Sequence, residues 1–174
     1  YKSQQRYTEA ESFLVQSLLI REKAFGPNHP DVATGLNNLG ALYKSQRQYD
    51  EAEPFYERSL KITENALGRD HPQVALVLSN LAHLCHSQGR YAEAEPPNKR
   101  SILINEKALG PDHPEVATGL LNLANLYKSN GGYAEAELLF KRSILIKKKA
   151  LGPSHPEVAS LINTLARRKI TRGR

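Results

Sequence analysis

Apolar residues fall on one stripe of a helix over residues 31–46, where Val32, Ala33, Leu36, Leu39, Gly40, Leu42 and Tyr43 keep the i, i+3, i+4, i+7 spacing. After a short polar break, residues 49–66 do the same with Tyr49, Ala52, Phe55, Tyr56, Leu60 and Ile62 between charged positions. The two stretches predict a pair of amphipathic helices, A and B, and the short break between them makes the pair antiparallel. The pattern then recurs every 42 residues, carrying with it Tyr7, Tyr49, Tyr91 and Tyr133, and Ala10, Ala52, Ala94 and Ala136. Self-similarity at this period predicts a stacked array of helix pairs. It divides into a partial repeat at 1–28, full repeats at 29–70, 71–112 and 113–154, and a partial repeat with a basic tail at 155–174. Small residues at Gly40, Ala82, Ala124 and Ala166, and at the alanine of each Ala-Glu pair, predict close approach of the helices.

The segments between B and the next A keep the period too. Gly26, Gly68, Gly110 and Gly152 stand where helix B should stop, at positions suited to a residue without a Cβ. Asn28, Asp70, Asp112 and Ser154 follow as expected N-caps, and Asp31, Gln73, Glu115 and Glu157, three residues later, complete the pattern of a capping box. Pro30, Pro72, Pro114 and Pro156 fit the first helical turn, where a missing N–H costs nothing. The four His-Pro pairs therefore read as helix punctuation and not as catalytic or metal-binding groups.

Composition narrows the picture without changing it. With 24 Lys and Arg against 18 Asp and Glu, the net charge of +6 favours acidic partners in general. A single cysteine, Cys85, rules out an internal disulfide framework and suits a reducing compartment, so a cytoplasmic setting is expected. No apolar run reaches the length of a membrane span, and no N-terminal segment has the pattern of a signal peptide. The absence of methionine and the opening at Tyr1 are expected of a segment of a longer protein.

The order Leu39, Gly40, Tyr43, Tyr49, Ala52, Tyr56 resembles the tetratricopeptide signature. The longer unit "ALGPDHPEVATGLLNLANLYKSNGGYAEAELLFKRSI" resembles the 42-residue repeat of kinesin light chains and of light-chain-like bacterial arrays, over essentially the whole chain. The resemblance implies an all-α fold, an α-solenoid of antiparallel helix pairs wound as a right-handed superhelix. It also implies a concave face, lined by A helices, that binds extended peptides; in kinesin light chains these are acidic cargo motifs. The coiled coil that holds the kinesin heavy chain has no counterpart in this sequence, so only peptide or protein binding carries over.

One step around helix A from Leu39 and Gly40, the groove candidates of the first full repeat are Thr34, Asn37, Asn38, Ala41, Lys44 and Ser45. Matching sets follow from Leu76 to Ser87, including Asn80, His83 and His86, and from Thr118 to Ser129, including Asn122, Asn125 and Lys128. The last set contains Ser160, Asn163, Thr164 and Arg167. None of these residues is acidic, so the face suits an anionic ligand. Asn38, Asn80 and Asn122 share one register, and an amide that both donates and accepts can read a peptide backbone. The resemblance implies the same contact for asparagine at this position. Lys44, Lys128 and Arg167 would supply charge, while His83 and His86 would add positive charge in acid. The "HLCH" stretch also offers metal-ligand types, but Cys85 shares the register of Tyr43 and Tyr127 and points into the core, away from its neighbours.

Two irregularities carry expectations. Pro96-Pro97-Asn98 replaces apolar residues of other B helices and should weaken that repeat, or kink it. The terminal helices leave apolar faces that invite self-association. No phosphate-cradling loop, metalloprotease motif or nucleophile elbow is present, and neither a cofactor nor a metal is expected. The expectation is a non-enzymatic protein-interaction scaffold that binds an extended, acidic peptide. The alternative is nucleic-acid or other polyanion binding through "KRSILIKKK" and the tail "ARRKITRGR", which the lack of groove aromatics disfavours.

Overall fold

The computed structural model describes the backbone of residues 2–172 and the side chains of residues 6–166. All regular structure among them is helical: α1 (Lys2–Phe25), α2 (Pro30–Ser45), α3 (Tyr49–Leu67), α4 (Pro72–Ser87), α5 (Tyr91–Leu109), α6 (Pro114–Ser129), α7 (Tyr133–Leu151) and α8 (Pro156–Arg172). The even-numbered helices are A helices and the odd-numbered ones B helices. The ends of α2 and α3 fall within one residue of those expected from apolar spacing. Contacts divide the chain into two compact units, residues 1–90 with α1–α4 and residues 91–174 with α5–α8.

In the first unit α2 lies between α1 and α3. Its stripe of Val32, Ala33, Leu36 and Leu39 is buried together with Leu18 of α1 and Ile62 of α3. Each large aliphatic side chain so covered contributes about 1.5–3 kcal/mol. A second cluster joins Ala52 and Tyr56 of α3 to Leu84 of α4. In the second unit α6 is flanked by α5 and α7, and Ala124, Ala136 and Phe140 are buried with Leu165 of α8 packed on them. A Cβ on Gly40 would lie 2.9 Å from the Tyr56 ring, whereas at the same register Ala124 packs against Phe140. Ala166, the last of that small-residue series, is exposed.

The helix stops are as expected: Gly68 has φ 88° and ψ 157°, and Gly152 φ 88° and ψ 153°, a region open essentially to glycine alone. The N-caps are not. Asn28, Asp70 and Asp112 are displaced by the histidines, since His29, His71 and His113 are the capping residues. In each case the imidazole Nδ1 accepts the backbone N–H two residues on, at 3.2 Å, and His155 does the same for Glu157 in place of Ser154. The acidic or amide residue of the expected capping box does not reach back; the histidine N–H groups donate instead to the carbonyls of Gly26, Gly68, Gly110 and Gly152. The cause is the following proline, which holds its predecessor extended. At φ −78° and ψ 146°, His29 has the cap conformation and its ring lies over the first turn. The His-Pro pair is punctuation, with the histidine as the capping side chain.

Candidate functional site

The outward face of α2 presents Thr34, Asn38, Ala41 and Ser45 as exposed residues and Asn37 and Lys44 as half-buried ones. The Thr34 hydroxyl donates to the Pro30 carbonyl and that of Ser45 to the Leu42 carbonyl, so both are committed to their own helix. The amides are less committed. On α4, Asn80 is half-buried and its Nδ2 donates to Oδ1 of Asn37 at 2.8 Å. That bond ties two successive A helices and leaves the Asn37 NH₂ and the Asn80 carbonyl as further donor and acceptor. Asn38, in the register of Asn80, is exposed and makes no side-chain hydrogen bond among the described residues. His83 is exposed and His86 half-buried on the same side of α4, while Cys85 between them is buried in the core. Cys85 thus points away from the face that carries the two histidines.

In the second unit, α6 carries Asn122 half-buried and Asn125 and Lys128 exposed, none with a hydrogen-bond or ion-pair partner among the described residues. On α8, Ser160 and Asn163 are exposed and Thr164 half-buried. A cavity of about 440 Å³ is lined by Pro156, Ala159, Ser160, Asn163 and Thr164. The Arg167 side chain lies outside the described residues, as does most of the basic tail. The structure thus joins Asn37 and Asn80 directly, with Asn38 and Lys44 on α2 and His83 and His86 on α4 of the same unit, while Asn122, Asn125 and Lys128 lie on α6 of the second.

Two family descriptions, both of the tetratricopeptide repeat, match this sequence: one over residues 1–65 and 31–102, the other over residues 116–157. The chain belongs to the tetratricopeptide repeat family. No curated relative matches it. Among solved structures, the putative kinesin light chain with nearly identical TPR-like repeats from Podosopora anserina is 26% identical with a TM-score of 0.81, covering 99% of this chain and 82% of that one. BtubC (BKLC) from P. vanneervenii is 26% identical with a TM-score of 0.77; this chain is covered to 90% and spans 62% of BtubC's length. The N-terminal domain of stress-induced protein-1 from C. elegans, at 14% identity and a TM-score of 0.59, shares the fold over 79% of this chain and 96% of that one. The repeats are therefore tetratricopeptide repeats of the kinesin-light-chain type in an all-α solenoid fold. Such repeats form protein–protein interaction scaffolds, and the family is a non-catalytic one. No helix among the described residues is long and apolar enough to cross a membrane.

The tetratricopeptide A helices are held in place by carboxylates of the preceding B helix. The Tyr43 hydroxyl donates to Oε1 of Glu11, and that of Tyr127 to Oε1 of Glu95 at 2.9 Å. The hydrogen bond to Glu11, followed by burial, raises the Tyr43 pKa. Where Cys85 replaces the tyrosine, Arg90 takes over, its guanidinium donating to both oxygens of Glu53 at 2.9 and 2.8 Å. No sequence motif announces that exchange: Cys85 departs from the tyrosine of its register, but the register of Arg90 is variable, with Arg6, Gln48 and Gly132.

Carboxylates elsewhere are similarly engaged. Arg58 pairs with Glu22, Arg142 with Glu106, Lys147 with Glu157 and Lys149 with Asp112. Most of the cations in "KRSILIKKK" are thus neutralised, Lys141 also having Glu137 as its partner. Lys44 differs. It is half-buried with no ion pair among the described residues, and burial lowers its pKa. An anion beside it would restore what desolvation removes.

Proposed function

We propose that this tetratricopeptide segment binds an extended, acidic peptide on the face of its A helices. The observation that carries the reading is Lys44: a half-buried cation without an acidic partner among the described residues, on a face that also presents the amides of Asn37 and Asn38. Amides suit the repeating N–H and C=O groups of an extended backbone, and the lysine suits a carboxylate side chain. Asn122, Asn125 and Lys128 offer the same chemistry in the second unit. His83 and His86 would strengthen attraction to acidic segments when protonated. The reading treats residues 1–174 as one array and its setting as cytoplasmic, consistent with a single thiol that is buried.

Fluorescence anisotropy with labelled extended peptides of acidic and basic composition tests it. Acidic peptides should bind saturably and basic ones should not. Lys44→Gln should weaken binding about tenfold, the scale of one charge-assisted contact at about 1.4 kcal/mol, and Asn38→Ala with Asn122→Ala should weaken it further. Equal binding of both peptide classes, or affinity unmoved by all three substitutions, would sink the proposal.

A further inference from the structure

The B helices turn one stripe outward, away from the A helices they cover. In α3 it runs through Pro54, Glu57, Lys61 and Asn65, all exposed. α3 is packed between α2 and α4, so this register is open in a helix with neighbours on both sides, and polar side chains suffice there. In the second unit the same register becomes apolar. Leu103 of α5, in the register of Lys61, is 63% exposed, and Leu138 and Leu145 of α7, in the registers of Pro54 and Lys61, are 69% and 61% exposed. α7 is itself packed between α6 and α8. Packing within the chain does not require leucine at these positions, and exposed apolar side chains rimmed by polar ones mark a surface that meets a partner.

Two ion pairs set α5 and α7 side by side. Arg142 of α7 pairs with Glu106 of α5, and two turns further along α7 Lys149 pairs with Asp112, just past the end of α5, so the two helices run parallel. Leu103 stands one turn before Glu106 and Leu138 one turn before Arg142, which puts these leucines at one level across the seam. Leu145, two turns after Leu138, lies about 10.5 Å further along it. The rim is basic. Within one turn on either side, Leu145 has Lys141, Arg142, Lys148 and Lys149, and Leu103 has Lys99, Arg100, Glu106 and Lys107. Leu138 adds only Glu135 to the charged groups of the rim. Lys99, Lys141 and Lys149 already meet Glu95, Glu137 and Asp112, but these lysine side chains are 52%, 51% and 67% exposed. Such pairs are screened by water and leave ammonium donors facing outward.

We propose that the seam between α5 and α7 is a docking site for an amphipathic helix of a partner protein, one whose apolar stripe is edged with Asp and Glu. Charge complementarity specifies this occupant: the leucines on two parallel helices offer a helix-in-groove contact, and the cations around them suit carboxylates flanking the docked stripe. Glu95, Glu106 and Glu137, interspersed among those cations, favour a helix with spaced charges over a continuous anionic lipid surface. The seam is built from B helices, whereas the extended peptide is assigned to the A helices, so the two sites are independent.

The probe is a labelled synthetic helix of about 18 residues, long enough to be helical on its own, with leucines on one stripe and glutamate beside each. Fluorescence anisotropy with the 174-residue chain should show saturable binding of this helix, and much weaker binding of versions in which lysine replaces glutamate or serine replaces leucine. Leu103→Ser and Leu145→Ser should each weaken binding about tenfold, the scale of one leucine newly covered. Both positions are exposed, and circular dichroism should show both variants folded as the parent is. Lys141→Glu should narrow the preference for the glutamate helix over the lysine helix. Lys44→Gln should leave helix affinity unchanged, and excess unlabelled extended acidic peptide should not displace the helix, so failure of either site is distinguishable from failure of the other. No binding of the glutamate helix overturns the proposal, as does equal binding of the serine version or an affinity unmoved by both leucine variants. Displacement by the extended peptide also overturns it. Two further results assign the leucines elsewhere and overturn it as well: leucine-dependent uptake on phosphatidylserine vesicles without helix binding, and self-association in sedimentation velocity that Leu145→Ser abolishes.

Discussion

Tyr56 carries the clearest local conflict in the chain. It is 0% exposed, and its hydroxyl has no hydrogen-bond partner among the described residues. Burial pushes its pKa up to about 12, against an ordinary value of about 10. The folded state therefore prefers the neutral phenol. Below about pH 10 the side chain is neutral folded or unfolded, and its contribution is intact; between about pH 10 and 12 the unfolded chain ionises first, so stability is lost as pH rises. Tyr56→Phe should remove that component and, by deleting an unsatisfied buried hydroxyl, should gain about 1 kcal/mol near neutral pH. Phe140, buried in the same register, shows that a side chain without the hydroxyl is accommodated there. Guanidinium titrations near pH 8 and pH 11, on the parent and the variant, check both halves; an alkaline loss as large in the variant as in the parent would assign the effect to other tyrosines.

At the scale of the element, α5 is one continuous helix from Tyr91 to Leu109 despite Pro96 and Pro97 inside it. Two amides that would reach the carbonyls of Ala92 and Glu93 are missing, and Asn98 is 4% exposed where other B helices carry Tyr56 or Phe140. Pro97→Leu with Asn98→Phe, copying Leu139 and Phe140 of α7, should stabilise α5 by about 3 kcal/mol, the scale of a removed mid-helix proline and a buried aromatic. Local hydrogen exchange is the suitable readout, because repeat arrays need not unfold as one step. Slower exchange across α5 is expected, and unchanged exchange would show that the proline pair costs nothing there. Helices were the most legible level of the sequence: apolar spacing placed α2 and α3 to within a residue because packing on both sides of each helix enforces it. The caps were less so, since the identity of the capping side chain turns on the backbone angle that proline imposes on histidine. At the candidate site, polarity and lack of acidic residues could be read from the register alone. The Asn37–Asn80 bond could not, because the two residues occupy neighbouring registers and meet only through the rotation between successive A helices. The half-burial of Lys44 was equally hidden, since Lys128 at the same register is exposed.

For the whole molecule, what matters is how charge is distributed between faces. A net charge of +6 would mean little if it were spread evenly, but Glu22, Glu53, Glu106, Asp112 and Glu157 are already paired with basic side chains. Lys44 and Lys128 are not paired among the described residues. A ligand bound on the A-helix face of either unit would therefore feel two kinds of force, long-range attraction to that unit's lysine and short-range hydrogen bonding to its asparagines. Salt separates them. Between about 0.1 M and 1 M ionic strength the Debye length falls from about 10 Å to about 3 Å, which removes steering but leaves hydrogen bonds in contact. Acidic-peptide affinity should fall across that range, chiefly through a slower association rate, and level off at a residual value. Lys44→Gln should flatten the salt dependence, whereas Asn38→Ala should lower affinity by a similar factor at every salt concentration. Stopped-flow anisotropy across a salt series measures both slopes; if Lys44→Gln and Asn38→Ala leave the same slope, charge and amide are not acting as separate parts of one binding face.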